Sequence, residues 1–220
     1  LWAPCQAQDR FLAAAAEAAG IPPGKVRIHT TLLGGGFGRR LGADGVPGAV
    51  RTAMALDRPV KFFWRREDEM QQGWYRPAQA ARLRAAIGPD GRLQGLSVRT
   101  AGPSLAASFS SSGLPEGQLD GSSVQCLRDT RYKPPAYRVD WVRVDQPVPM
   151  APWRSVGATQ NGYFLECFID ELAHRLGRDP YALRRELLAH DARALKVIDT
   201  AAEAAGWGTP LPAGRARGLA

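Results

Sequence analysis

Residues 25–40 read Lys-Val-Arg-Ile-His-Thr-Thr-Leu-Leu-Gly-Gly-Gly-Phe-Gly-Arg-Arg. From Lys25 to Leu32 the side chains alternate, with Val26, Ile28, Thr30 and Leu32 on one face and Arg27, His29 and Thr31 on the other. That is the period of a half-buried strand. The strand is expected to run straight into Gly34-Gly35-Gly36-Phe37-Gly38, whose glycines leave main-chain N–H groups uncovered by any Cβ. Such a loop suits close contact with an anion or a rigid ring. It is not a GxxxxGK[ST] phosphate loop, because no Lys-Ser/Thr follows, nor a GxGxxG dinucleotide turn, because Arg39 stands where the third glycine belongs. A purely structural glycine turn is the competing reading.

Working outward, Asp9–Ala19 is Ala-rich and is closed by Gly20 and Pro22-Pro23, which predicts a helix. Val46–Leu56 predicts a second helix, ended by Asp57-Arg58-Pro59, and Val60–Trp64 a second strand, giving a β-α-β-like core. Arg65–Met70 is charge-dense and reads as a solvated turn or cap. Tyr75–Ile87 and Arg92–Thr100 read as a hairpin, joined by Gly88-Pro89-Asp90-Gly91. Residues 101–123 are Ser/Gly/Pro-rich and read as a long irregular connection. Tyr132–Val144 returns to strand-like alternation, and Pro147 to Pro152 marks a boundary.

Beyond that boundary, Thr159–Leu176 reads as an amphipathic helix with Phe164, Cys167, Phe168, Glu171, Leu172 and Leu176 along its stripe. Asp179-Pro180 is an N-cap and N1 pair for a helix through Leu188, and Asp191 starts another that stops at Gly206. The expected fold class is α+β.

Composition narrows the functional classes. The chain has 220 residues, 45% apolar and 23% charged, which supports a packed core and excludes disorder. Charged residues interrupt every apolar run, so no stretch reaches the roughly 18 residues of a membrane helix. Lys plus Arg is 29 against 21 for Asp plus Glu, a net charge of +8. That balance suits an anionic partner, although scattered arginine is also what a solvated surface carries. Cys5, Cys126 and Cys167 are far apart with no CxxC pair, and His29, His174 and His190 are isolated. A zinc finger, an iron–sulfur cluster and a His-centred hydrolytic triad therefore lack their parts. The chain opens at Leu1 without Met or a signal-type stretch and stops at Ala220, so it is expected to be a piece of a longer protein.

A second constellation, Trp153-Arg154-Ser155-Val156-Gly157-Ala158-Thr159-Gln160-Asn161, stands just ahead of the long helix. An arginine there meets anionic groups near a positive helix end. Gln6, the GGGFGRR run at 34–40, the WRSVG run at 153–157 and Phe168-Ile169-Asp170-Glu171-Leu172-Ala173 together resemble the molybdopterin-binding large subunit of the xanthine dehydrogenase superfamily. The branch most similar is that of the isoquinoline 1-oxidoreductase β subunit and the bacterial aldehyde dehydrogenases, and the resemblance spans essentially the whole chain.

The resemblance implies a molybdenum-cofactor-binding fold of the aldehyde oxidoreductase type, incomplete at both ends. Residues 1–147 would be most of a first molybdopterin-binding domain and 148–220 the start of a second. It implies that Gln6 hydrogen-bonds the apical oxo ligand of molybdenum. Gly35, Gly36, Phe37 and Gly38 would supply backbone close to the metal's ligand sphere, and Arg154 would meet the cofactor, with no residue of this chain coordinating the metal directly. Purine-oxidising relatives carry a glutamate where this chain has Leu41, and an aromatic where it has Val156. Both changes point to a hydrophobic substrate pocket suited to aldehydes or apolar N-heterocycles.

The implied reaction is hydroxylation with oxygen from water, with a base glutamate expected beyond Ala220. The implied cofactor is molybdopterin in its cytosine dinucleotide form with Mo. The implied partners are an iron–sulfur small subunit, which alone would carry a [2Fe–2S] cluster, and a cytochrome c as candidate electron acceptor. The implied location is periplasmic or membrane-associated, and nucleic acid is not an expected partner. Two rivals stand beside this reading. One is a basic nucleic-acid-binding module, motivated by the net charge and by Trp64-Arg65 and Trp74-Tyr75-Arg76. The other is a non-catalytic scaffold with a degenerate metal site.

Overall fold

The structure is a computed structural model that describes residues 1–109 and 113–220. It divides into two compact units that interleave in sequence. The first comprises Leu1–Pro77, Ala107–Gly113 and Gln146–Ser155, and the second Ala78–Ala106, Leu114–Asp145 and Val156–Ala220. The expected boundary at Pro147–Pro152 lies inside the last segment of the first unit.

The first unit contains β1 (Trp2–Ala3), α1 (Gln8–Ala19), β2 (His29–Thr30), α2 (Val46–Leu56) and α3 (Arg66–Gln72). Gly20 ends α1 in the left-handed conformation at φ 66°, its N–H returning to the last turn, and Asp57 ends α2 in the same way at φ 47°. The small core joins Ala3, Cys5, Phe11, Ala15 and Val46, with Val26, Ile28 and Val50 packed against it. Both helices were legible because their stop residues are local signals.

The strands were not. Only His29 and Thr30 of the expected 25–32 strand pair, parallel to Trp2 and Ala3, and the Trp2 and His29 rings stack at 4.8 Å. Lys25 belongs to a 3₁₀ turn over Pro23–Lys25, and Leu32 is fully exposed rather than core-facing. A strand extends only as far as its neighbour, and β1 is two residues long. Val60–Trp64 forms no strand. The Phe62 ring instead lies against Gly48 of α2, where an added Cβ would be 2.9 Å from Cζ, and meets Trp64 edge-on at 5.3 Å. The β-α-β-like core is therefore absent. Arg65–Met70, read as a solvated turn or cap, supplies the cap at Arg65 and continues into α3, held by Arg65–Asp68 and Arg66–Glu69 ion pairs.

The second unit contains β3 (Ala80–Ile87) and β4 (Leu93–Gly102). The short α4 (Leu105–Phe109) begins in the second unit and ends in the first. β5 (Ala136–Arg143), α5 (Ala158–Arg175), α6 (Pro180–Leu187) and α7 (Ala192–Ala204) complete the second unit. β3 and β4 form the expected antiparallel hairpin, and β5 adds parallel to β4 in the order β3-β4-β5. Gly91 closes the turn at φ 74°, while Asp90 accepts the Arg92 N–H at 3.1 Å. Of the 101–123 connection, residues 110–112 lie outside the described residues.

One face of the sheet, Leu83, Leu96, Val98, Tyr137 and Val139, packs against Leu165, Ile169, Leu172 and Leu183. The buried face of α5 is Asn161, Leu165, Ile169, Leu172 and Ala173, rotated from the expected stripe. The reason is Asn161, a polar anchor that an apolar count passes over: its Nδ2 donates to the carbonyls of Ser123 at 2.8 Å and Gln125 at 2.9 Å. Asp179 and Asp191 cap α6 and α7 as expected, each accepting an N–H from the third residue on.

Two buried polar centres hold this unit. Arg184, 1% exposed, donates to Glu166 at 2.9 Å and Asp170 at 2.6 Å, and Tyr132 donates to the same Glu166 oxygen at 3.0 Å. Asp120, also 1% exposed, accepts from Ser104 Oγ and the N–H groups of Ala106 and Ser122. Burial alone would raise the Asp120 carboxyl, but these donors outweigh it and hold the group below the ordinary carboxylate range.

Arg184→Ala strips a buried charge partner and is expected to destabilise the chain by about 3 kcal/mol in urea unfolding. Asp120→Asn should cost about 1–3 kcal/mol at neutral pH. A depressed carboxyl contributes stability above its unfolded pKa of about 3.9 and loses it as pH falls through the lower folded value. The difference between wild type and Asp120→Asn should therefore shrink on acidification below about pH 4, read from unfolding midpoints across pH.

Candidate functional site

The glycine run leaves β2 after Thr31, whose N–H donates to Ala3 at 3.3 Å. Three residues then take left-handed or glycine-only conformations: Gly35 at φ 147°, Phe37 at φ 51° and Gly38 at φ 86°. The bend is sewn to Gln6 three times. Gln6 N–H donates to the Arg40 carbonyl at 2.9 Å, Gly38 N–H donates to Gln6 Oε1 at 3.0 Å, and an added Cβ on Gly36 would collide with the Gln6 carboxamide. Gly36 and Gly38 are thus required by packing within the chain, and not only by approach to a ligand.

The segment past the midpoint docks on the same bend. Arg154 N–H donates to the Phe37 carbonyl at 2.9 Å, and an added Cβ on Gly38 would collide with the Pro152 carbonyl. The Arg154 guanidinium carbon lies 6.0 Å from the Phe37 ring centre. Gln6, Phe37 and Arg154 are all exposed, so the first unit presents an amide, a ring and a guanidinium on one surface. Among the described residues, the N–H groups of Gly34, Gly35, Gly36 and Phe37 find no acceptor within the chain. Leu41 is half-buried in the 3₁₀ turn Arg39–Leu41, its N–H donating to Gly38. Val156 belongs to the second unit and sits half-buried at φ 48°, beside Ser155 at φ 72°.

Sequence reasoning missed the brace beneath this surface. Arg39, its side chain 13% exposed, meets Asp44 through two hydrogen bonds of 2.8 and 2.9 Å and lies 4.9 Å over the Trp74 ring. The hydrogen bond to Asp44 raises the guanidinium pKa further, and the same contact holds the Asp44 carboxyl below its usual range. Gly42 has no room for a Cβ against Trp74. Trp74 also accepts at its carbonyl from the Trp153 indole N–H at 3.2 Å, and Arg76 donates to the Arg154 carbonyl at 3.1 Å. The one signal available in sequence was the tryptophan-arginine pairing at 74–76, which reads equally well as a surface.

The sequence and the fold match a known family. The family model described as the molybdopterin cofactor-binding domain covers residues 1–188. The chain belongs to this family. It is 33% identical over 196 residues to the isoquinoline 1-oxidoreductase subunit beta of Brevundimonas diminuta, covering 88% of this chain and 25% of that one. It is 32% identical to the membrane-bound aldehyde dehydrogenase [pyrroloquinoline-quinone] of Gluconacetobacter polyoxogenes, covering 98% of this chain and 31% of the relative. Quinoline 2-oxidoreductase from Pseudomonas putida 86 superposes with a TM-score of 0.70 at 21% identity, over 93% of this chain and 28% of that one. The α+β fold is that of these molybdenum-cofactor-binding domains. The chain spans about a quarter to a third of the length of the relatives it matches.

Among the described residues, no group of three or more His, Cys, Asp or Glu side chains is placed to hold a metal ion, and no helix is long and apolar enough to cross a membrane. The second unit also holds a groove of about 460 Å³, lined by Leu165, Leu188, Val197 and Ile198 among others. None of the cofactor- or substrate-site residues expected from sequence lines it.

Gly38→Ala forces a Cβ into the Pro152 carbonyl at a left-handed φ and is expected to destabilise the chain by about 1–3 kcal/mol. Gly34→Ala, where a Cβ meets nothing within 4 Å, should stay within about 0.5 kcal/mol of wild type. Paired thermal unfolding of the two variants separates the glycine that packs from the glycine that does not.

Proposed function

We propose that Gln6, the main chain of residues 34–38 and Arg154 hold the molybdopterin group in the large subunit of a molybdenum hydroxylase. One observation carries the reading. Four N–H groups without an acceptor among the described residues, a carboxamide and a guanidinium share one surface. A surface that offers such donors suits a group rich in phosphate, oxo and sulfur acceptors. Gln6 Oε1 is occupied by the Gly38 N–H. That contact fixes the amide so that its NH₂ is the end left to donate outward. Arg154 is held by its own backbone and offers charge, and Phe37 presents an apolar ring beside it.

When bound, the group supplies a metal that accepts two electrons from a substrate carbon, while the incoming oxygen derives from water. The proposed substrates are aldehydes or apolar N-heterocycles, because Leu41 and Val156 replace polar and aromatic pocket groups. Both substrate classes appear in the names of the relatives. The quinone in the name of the aldehyde dehydrogenase relative is not adopted here, since the family match and the donor surface both favour molybdopterin.

The finer parts of the proposal are the cytosine dinucleotide form of the cofactor and a base glutamate beyond Ala220. They extend to a [2Fe–2S] cluster in a small partner subunit, a cytochrome c acceptor, and a periplasmic or membrane-associated enzyme. The relatives named as subunits support a partner subunit, and the one named as membrane-bound supports membrane association. The same proposal divides the family's two cofactor-binding domains at 147/148.

The test uses the full-length protein with its small subunit. Molybdenum and pterin should co-purify, dye reduction should depend on an aldehyde or N-heterocycle, and isotopically labelled water should label the product. Gln6→Ala and Arg154→Ala are each expected to lower turnover by about 10²-fold, as loss of one preorganised donor does. A folded, fully assembled protein without molybdenum, or variants as active as wild type, would overturn the assignment.

A further inference from the structure

The sheet of the second unit has a core face and an outer face, and the outer face is arginine-rich. The register sets Arg82 directly opposite Arg99, and Arg99 beside Asp140. One row along, Arg84 lies opposite Ser97, and Ser97 beside Arg138. The four guanidinium groups and the single carboxylate surround a shallow groove of about 220 Å³. Asp140 already serves Arg138 at 2.9 Å and Arg99 at 3.4 Å. Among the described residues, the Arg82 and Arg84 side chains make no hydrogen bond or ion pair.

Like charges directly across an antiparallel pair destabilise the sheet, so the Arg82–Arg99 pairing works against the fold that carries it. The chain's net charge of +8 leaves no surplus of its own carboxylates to neutralise it. The next row, Ala86–Gly95–Ala136, carries no side chain beyond Cβ and lets another backbone come close.

We propose that this face docks an acidic segment of a separate partner polypeptide, whose Asp and Glu side chains pair with Arg82, Arg84, Arg99 and Arg138. The pattern favours a protein over nucleic acid. The strand alternation sends Tyr137 and Trp141 away from this face, leaving no ring there to stack on bases. The guanidinium fork matches a carboxylate through two parallel hydrogen bonds.

The test is made in the assembled full-length enzyme. Arg84→Lys and Arg138→Lys keep the charge and introduce an amine that carbodiimide joins to a carboxylate in direct contact. The expected result is coupling to Asp or Glu residues of one neighbouring polypeptide, lost when salt is raised from about 0.05 M to about 0.5 M. Arg82→Glu combined with Arg84→Glu should weaken association with that polypeptide by about tenfold or more, with secondary structure unchanged by circular dichroism. Coupling only to Asp140 or to a remote part of the same chain would overturn the proposal. So would an oligonucleotide that displaces the partner and loses its own binding on the same substitution. Because none of these readouts involves molybdenum or turnover, failure here is distinct from failure of the proposed function.

Discussion

A single main-chain contact, Arg154 N–H to the Phe37 carbonyl, sets the arrangement on which the proposed site of the first unit depends. It fixes a segment past the chain's midpoint in register with a bend near its start, and the register brings Gln6, Phe37 and Arg154 to one surface. The contact depends on absent atoms. Without a Cβ on Gly38 the Pro152 carbonyl can approach, and without one on Gly36 the Gln6 carboxamide can lie in the bend. The cost is local strain: Phe37 and Ser155 are both held at positive φ without being glycine, a conformation that costs of order 1–3 kcal/mol each. Such strain persists only where surrounding contacts over-determine it. The brace from Trp74 through Trp153 and from Arg76 to the Arg154 carbonyl supplies those contacts.

What could be read from sequence follows the range over which each signal acts. Helices α1, α2, α6 and α7 and the 88–91 turn are set by residues within a few positions of one another, such as Gly20, Asp57, Asp179, Asp191 and Gly91. Strands need a neighbour, and no local pattern says how long the neighbour is. Val26, Ile28 and Leu32 alternate correctly, yet β2 stops after two residues because β1 does. Val60–Trp64 has strand composition and spends its aromatic rings on the surface of α2. The face of α5 differs from the expected stripe for another reason, since its anchor is a buried asparagine whose partners, Ser123 and Gln125, lie at and just past the end of the connection read as irregular.

The candidate site divides in the same way. Its exposed members were legible because GGGFG and WRSVG are unusual strings. Their support was not, because Arg39, Asp44 and Trp74 are ordinary residues whose meaning arises only when the 39–44 turn and the 74–76 segment meet. Arginine shows how far context decides role. Arg184 is buried and would be costly without Glu166 and Asp170, Arg39 is largely buried and clamps a turn, and the outer-face sheet arginines face water with one carboxylate among them. Net charge counted all of these alike.

The Gln6 hydrogen bond joins the two scales of the argument. The oxygen end of the carboxamide holds the bend by accepting from Gly38, so under the proposed function the nitrogen end is the one left to meet the bound group. A glutamate of the same length would accept from Gly38 equally well, yet it would turn the outward group from a donor into a negative charge. The fold alone would tolerate either residue; only the outward end distinguishes them, and it is there that structural support gives way to chemistry.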